Sequence, residues 1–478
     1  MQPPEPLVIH LPGSLSSWDC FIRIAHLPYV LFLDSATHHS VLGRYSYLAA
    51  DPFEVVKVNG PAQIRRGLQQ VKSQGRQWQT AHFDYLPPFQ GGLAGLWGYG
   101  VNQALENIPS PRWNDFAVPD LCLGWYDWVI AIDHLEHQSF LISTGLPEQE
   151  RVLQQNRAEE RAEQVLSWLE SKVLPIMPER VVERICPKSP CYSLPKYEGV
   201  FSNFTLEGFR EVIQKGIEYT HAGDCFQVNL AQRLMMPFEG NPVELYQNLR
   251  YQSPAQCAGY FDMGQYILAS SSPERFIQIN HFGEIETRPI KGTRPRRTDP
   301  QLDQAMAQEL VHSSKDRAEN VMIVDLLRND LGRVSEFGSI SVPELCKLES
   351  NASVHHLVSS VRSCMRRELT PFDVLEATLP GGSVTGAPKV RAMEIIAELE
   401  PTARGAYCGC LGFISFSGCM DTNILIRTIT LGDGWAQFPV GGGIVADSNA
   451  EMEYLETLDK AQGMLSALAC TPLLRSVS

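Results

Sequence analysis

The sequence predicts an α+β fold with antiparallel sheets. Strand-like and helix-like segments arrive in blocks, not in βαβ alternation, which disfavours a parallel, doubly wound sheet. The strand-like segments are short and separated by glycine and proline punctuation, the pattern of turn-connected strands. At 478 residues, 44% hydrophobic and 20% charged, the chain can form two or three ordinary domains or one large composite core.

Residues 1–173 read as short strands, among them Tyr29–Leu33 and Leu121–Trp125, with Gly91-Gly92 and Gly98-Tyr99-Gly100 between them. Gly95-x-x-Gly98-x-Gly100 is rejected as a dinucleotide loop, because no amphipathic helix follows it. A charged helix is predicted over Pro147 to Lys172. Residues 174–203 carry Pro175, Pro178, Pro187, Pro190 and Pro195 and read as a linker or crossing segment. Residues 204–470 are richer in helix. Apolar Phe209, Val212, Ile213 and Ile217 line one face of a helix over 205–222, ended by Gly223, and Phe226–Leu230 then alternates as a strand. That alternation puts Gln227, Asn229 and Arg233 on one face. Ser313 with Asp316, and Ser448 with Glu451, have capping-box spacing before helices over 314–331 and to about Ala467.

Composition excludes several classes. A net charge of −14 argues against nucleic acid as the partner, while leaving room for a local basic pocket. The 12 cysteines form no paired framework and no Cys/His cluster with zinc-finger spacing, so they read as reduced thiols. No signal peptide or membrane span is evident, and a cytoplasmic protein is expected.

Four constellations could carry chemistry. Lys291 follows the β-like run Glu284–Arg288 and sits between Pro289-Ile290 and Gly292, in what reads as a short apolar turn. A poorly solvated lysine there loses part of its proton affinity and can act as a nucleophile; the residues alone also allow a solvated turn lysine. Asp316 with Glu319, and Glu453 with Glu456, share helix faces, and Lys460 stands four residues after Glu456. Converging carboxylates call for a cation, and hard oxygen donors without a thiolate or imidazole suit Mg²⁺; two solvated helix faces are the alternative. Pro388 suits the first position of a helix, which would place Thr385, Gly386 and Ala387 at its N-terminus as an anion site. Arg427 is a candidate carboxylate clamp, and Gly441-Gly442-Gly443 would let a ligand approach the backbone.

Seven ordered segments together resemble the chorismate-utilising enzymes. They are Ala222–Gln227, Ser272–Arg275, Pro289–Arg296, Val324–Asp330, Gly381–Lys389, Asp421–Asn423 and Gly443–Ser448. The resemblance covers most of the chain. It implies antiparallel sheets packed as a sandwich with surrounding helices, and an active site in a cleft. It implies Mg²⁺ bridged by Glu319, Glu453 and Glu456, with Asp316 an aspartate where relatives often carry glutamate. Tyr407, Arg427 and Gly443 would hold the pyruvyl side of chorismate, with Thr293, Thr385, Gly386, Ala387, Gly442 and Lys460 also lining the substrate site. Glu274, one strand-turn unit before Lys291, is expected to be the general acid.

Two positions separate the family's members. Isochorismate and salicylate synthases carry a water-activating lysine where this chain has Gln227. Anthranilate synthases carry alanine where it has Lys291. The pattern therefore implies amination of chorismate to 4-amino-4-deoxychorismate through a Lys291 adduct, for folate and para-aminobenzoate synthesis. Anthranilate formation is the alternative, and a non-catalytic scaffold for a glutaminase is a third reading. No glutaminase nucleophile elbow is found, so ammonia is expected from solution or from a separate glutamine amidotransferase subunit. Leu31–Ser35 with Gly43–Ser46 resembles the family's tryptophan pocket, with Ser35, Arg44, Tyr45 and Ser46 as its residues. Asp34 replaces the glutamate of the effector-binding form, which argues against feedback by tryptophan but allows a bound structural one.

Overall fold

A computed structural model describes residues 5–37, 42–171, 173, 183–350 and 354–471. Two large sheets dominate it. The first runs, edge to edge, through Leu7–His10, Gln138–Ser143, Trp128–Asp133, Tyr45–Ala49, Leu31–Asp34, Ala258–Asp262, Ile267–Ser270, Thr428–Gly432, Trp435–Ile444, Gln227–Pro237, Phe201–Ser202 and Tyr192–Ser193. The second runs through Ile290–Pro295, Val354–Cys364, Glu284–Thr287, Arg275–Ile279, Met420–Asn423, Cys410–Ser415, Gly92–Trp97, Leu121–Tyr126 and Glu54–Val58. Pairing between these strands is antiparallel throughout.

The sheets face each other across one core, as the expected sandwich requires. Leu31, Tyr47, Ala49 and Ala131 of the first sheet meet Ala94, Leu96, Cys122 and Phe413 of the second. The alternate residues point outward: Phe32, Leu48 and Ile130 pack under the helices Ser17–Ile24, Arg151–Glu170 and Pro242–Gln252, whose Phe21, Val165 and Tyr246 join the same cluster. Leu93, Trp97 and Leu123 pack with Ile64, Val324 and Val374, from the helices Pro61–Gln77, Ser314–Gly332 and Pro371–Thr378. Central strands are thus buried on both faces, which explains the continuous apolar run Leu121–Tyr126.

Strands from residues 1–173 and from 204–470 interleave in both sheets, so those segments share one core. The proline-rich stretch supplies Tyr192–Ser193 and Phe201–Ser202 at a sheet edge; Lys172 and residues 174–182, with Pro175 and Pro178, lie outside the described residues. Helix Leu206–Ala222 starts at its Thr205 cap and stops at Gly223, whose φ of 83° is the left-handed conformation that ends helices. Ser313 caps helix Ser314–Gly332 by accepting from the Asp316 amide. Near the C-terminus Asn449, not Ser448, caps helix Ala450–Cys470, because its side-chain oxygen reaches both the Glu451 and Met452 amides. Ser448 is thereby freed for another partner.

Candidate active site

Lys291 lies in strand Ile290–Pro295 and not in a turn. The strand pairs with Val354–Cys364, and its register slips between Lys291 and Thr293. Gly292 is the extra residue, with φ of 79°. A Cβ there would meet Leu310 at 2.8 Å and the Asp316 Cγ at 2.9 Å, so glycine permits the bulge to press against the neighbouring helices. The bulge lets a lysine on the terminal strand of the sheet face a carboxylate cluster. Burial pushes the Lys291 ammonium below its ordinary pKa; Glu319, Glu274 and Glu456 pull it back, and Lys460 pushes it further down.

Glu274 precedes strand Arg275–Ile279 and is buried. Burial raises its carboxyl to about 7, against the opposing effects of a Ser383 hydrogen bond and the Lys291 charge. That value suits an acid that is protonated near neutrality. Ser383 was missed from the sequence, although it sits within the Gly381–Lys389 segment.

Glu319 projects from helix Ser314–Gly332, and Glu453 and Glu456 from helix Ala450–Cys470. Ser448 donates to the Glu453 Oε1 at 2.7 Å, and the Lys460 Nζ reaches the Glu456 Oε1 at 2.7 Å and the Gly441 carbonyl at 2.8 Å. Gly442 forms the floor: a Cβ would stand 3.1 Å from the Glu453 Oε2 and 3.8 Å from both the Glu456 Oε1 and the Lys460 Nζ. Burial raises the carboxyls of Glu319 and Glu453, and the Glu456 charge raises both further. Glu456 itself is held low, because Lys460, Lys315 and Lys291 outweigh its burial. Clustered oxygen donors that destabilise one another's charge fit a hard divalent cation such as Mg²⁺. The three are nevertheless looser than a closed coordination shell, and no set of three of these carboxylates lies within 4.8 Å among the described residues. Asp316 differs from them, since its carboxylate faces Arg294 Nη2 at 3.2 Å.

Basic and polar groups stand near the carboxylates, and the Glu456 charge acts on Arg427. Arg427 is half-buried, with the backbone at φ 52° and its carbonyl fixed by the Ser271 amide. Burial lowers the guanidinium pKa, opposed by Tyr407 and Glu456. Thr293 Oγ1 lies 3.0 Å from His356 Nδ1, and burial with the nearby Arg427 charge lowers that imidazole to about 4, so it is neutral. His356, on strand Val354–Cys364, had no sequence signal. Gly443 pairs with Asn229, and a Cβ on it would lie 2.7 Å from the Gln227 Nε2. The Gln227 amide is fully buried with neither its oxygen nor its nitrogen bonded, which marks it as aimed at something other than protein.

Other expected residues stand differently. Gly386–Ala387 forms a short strand against Gln227 and Val228, and Pro388 caps helix Lys389–Leu399 from outside. The expected helix N-terminus at Thr385, Gly386 and Ala387 is therefore absent, because the backbone there bonds the strand: Phe226 donates to Ala387, and Asn229 to Thr385. The Thr385 hydroxyl donates to the Gly381 carbonyl at 3.0 Å. In the tryptophan-pocket-like segment, Ser35 donates to the Tyr45 carbonyl, Ser46 bonds the Ser35 amide and His134, and Arg44 pairs with Asp133. Asp34 is held by Arg250 and Tyr246.

The profile of the chorismate binding enzymes matches residues 28–466. The chain is 40% identical to aminodeoxychorismate synthase component 1 of Escherichia coli (strain K12), over 94% of this chain and 95% of that protein. It is 39% identical to anthranilate synthase component 1 of Thermus thermophilus, over 80% and 78% respectively. Among solved structures, anthranilate synthase component I from Streptococcus pneumoniae TIGR4 superposes with a TM-score of 0.74 at 31% identity, covering 90% of this chain and 94% of that one.

Proposed function

The chain belongs to the chorismate binding enzymes, and on that premise we propose that it aminates chorismate to 4-amino-4-deoxychorismate through a covalent Lys291 adduct. What supports this reading is Lys291 and the buried Glu274 lying close enough for each charge to act on the other, with burial pushing the amine below its ordinary pKa and raising the carboxyl to about 7. The similarity to a protein named aminodeoxychorismate synthase component 1 supports the same choice.

In this reading the neutral Lys291 amine attacks ring carbon C2, the ring double bonds shift, and the C4–O bond breaks. Glu274 gives its proton to the departing hydroxyl, which leaves as water, and the Glu274 carboxylate so formed takes up the proton that the amine releases. Ammonia then attacks C4, the double bonds shift back, the C2–N bond to Lys291 breaks, and the proton that ammonia gives up passes to the departing nitrogen, which restores the neutral Lys291 amine. The nucleophile on strand Ile290–Pro295 and the acid at the head of strand Arg275–Ile279 belong to the same sheet, which holds both in fixed orientation and favours reaction. Glu319, Glu453 and Glu456, with Asp316 nearby, would hold Mg²⁺, which would neutralise and anchor a substrate carboxylate. Arg427 and Tyr407 would hold the pyruvyl carboxylate, and Gly443 would let it lie against the backbone. The Gln227 amide, unbonded within the protein, would orient the substrate. Ammonia would come from a separate glutamine amidotransferase subunit, and the product would serve folate and para-aminobenzoate synthesis. A tryptophan held near Ser35, Arg44, Tyr45 and Ser46 is part of the same proposal.

The test is to incubate the protein with chorismate, Mg²⁺ and an ammonium salt and to identify products by mass. Amination with the enolpyruvyl group retained is expected; anthranilate plus pyruvate would assign the chain to the other reaction.

A further inference from the structure

At the end of the second sheet remote from the cleft, three turns converge. Strand register dictates this: Ile279 pairs with Met420, and Ser415 with Gly92. The hairpin turn after Ile279, the hairpin turn before Met420 and the segment entering Gly92 must therefore meet. Each brings a metal-binding side chain: His281, Cys419 and His82. Their donor atoms lie within 4.8 Å of one another. Residues 82, 281 and 419 share no sequence spacing that could have announced them.

The surroundings prepare these groups for a metal. The His82 and His281 rings stack at 4.2 Å with planes 10° apart. Asp84 Oδ1 lies 3.6 Å from His82 Nε2 and 3.4 Å from His281 Nε2. The amide nitrogen of Gln90, a donor only, stands 3.4 Å from His82 Nδ1, with Ser417 Oγ at 3.4 Å and Cys419 Sγ at 3.8 Å. This favours the tautomer with a proton on Nε2, facing the Asp84 carboxylate, and a lone pair on Nδ1 facing the thiol. A carboxylate that orients an imidazole from behind is the usual outer partner of a metal-bound histidine. All of Nδ1's neighbours are long for hydrogen bonds, whereas a metal would satisfy it at about 2.0–2.1 Å. Cys419 is buried, but Asp84 is exposed and His281 lies at a turn tip, which leaves an entry path.

We propose that His82 Nδ1, His281 and the Cys419 thiolate bind a zinc-class divalent ion, with Asp84 orienting the imidazoles. Two imidazoles and a thiolate form the borderline-soft donor set that Zn²⁺ prefers, in contrast to the all-oxygen set near Lys291. Tetrahedral bonds of that length separate donors by about 3.3–3.8 Å, so small side-chain adjustments close the site. Binding releases the Cys419 proton and clasps the segment before Gly92 onto the two hairpins. The five-residue strand Arg275–Ile279 separates this site from Glu274 by roughly 17 Å, so the ion has no part in the amination chemistry.

The test uses the full chain, stripped of metal and then saturated with Mg²⁺ to occupy the carboxylates. Co²⁺ is titrated as a spectroscopic probe and Zn²⁺ as the competing ion. One equivalent of Co²⁺ should bind with a thiolate-to-cobalt charge-transfer band that Zn²⁺ abolishes. Cys419→Ser should lack that band, and His281→Ala should bind at least tenfold more weakly with chorismate amination unchanged. Zn²⁺ should raise the melting temperature of the wild type and not of His281→Ala. No charge-transfer band in the wild type, or unaltered affinity in His281→Ala, overturns the proposal. If Cys419→Ser does not fold, the exposed His281→Ala still decides the matter.

Discussion

Replacing Glu274 by Gln should trade activity for stability, in a pH-dependent way. Glutamine keeps the shape of the carboxyl and its contact with Ser383 but cannot donate the acid proton. A positioned general acid contributes about 10²–10⁴-fold, so amination should fall by that factor, which is about 3–5 kcal/mol of barrier. Stability should move the other way. Burial raises the Glu274 carboxyl from 4.5 to about 7, so the folded state binds this proton more tightly than the unfolded state. The wild type therefore has this group's full contribution below pH 4.5 and loses it as pH rises through about 7. The difference between about 7 and 4.5 is worth roughly 3 kcal/mol, lost to the wild type at pH 8–9 and not to the variant. Urea unfolding at pH 5 and pH 8.5 measures it. Glu274→Gln should be nearly equal to wild type at pH 5 and more stable at pH 8.5. Wild-type turnover in the variant removes Glu274 from the mechanism; an identical stability profile refutes the buried, raised carboxyl.

Other substitutions test other parts of the cleft. Lys291→Ala should lower amination by about 10²-fold or more, read by mass analysis of the products. Glu456→Ala should weaken Mg²⁺-dependent chorismate binding far more than it lowers the melting temperature of the metal-free protein; unchanged metal dependence by calorimetry would contradict a ligand role. Gly443→Ala places a methyl 2.7 Å from the Gln227 Nε2, so it should cost on the order of 10²-fold in kcat/KM while the circular dichroism stays native. Arg427→Lys should raise KM about tenfold or more, because an ammonium cannot reproduce a bidentate carboxylate contact.

Much of this fold and part of its site were legible in the sequence, for physical reasons that differ by element. Helix Leu206–Ala222 carries its own start and stop in Thr205 and Gly223, so its bounds follow from local chemistry. Alternation reads as a strand over Gln227–Leu230 because Val228 and Leu230 pack under the helices, whereas Phe226 lies before the strand and is exposed. Pro289 and Gly292 punctuate the segment around Lys291, so its sequence reads as a turn. The structure uses Gly292 for a bulge, which depends on the approach of Leu310 and Asp316 and has no local signature. The same limit explains Thr385–Ala387. A glycine-rich run before Pro388 reads as a helix start, but pairing with Gln227, more than 150 residues earlier, decides its conformation. His356 and Ser383 were missed because their environment comes from packing: a buried imidazole beside Arg427, and a hydroxyl beside Glu274. The three turns that gather His82, His281 and Cys419 are set by strand register across the whole second sheet.

The most direct test of a covalent Lys291 route is to starve the reaction of ammonia. With chorismate and Mg²⁺ but no ammonium and no glutaminase, the adduct has no second nucleophile and should accumulate. Intact-mass analysis after rapid denaturation should show the protein heavier by one chorismate less one water. Peptide mapping should place that mass on Lys291, and Lys291→Ala should show none. Ammonium added before quenching should discharge the adduct as the aminated product. An enzyme that turns over with ammonium yet never carries this mass, or carries it on another residue, contradicts the account.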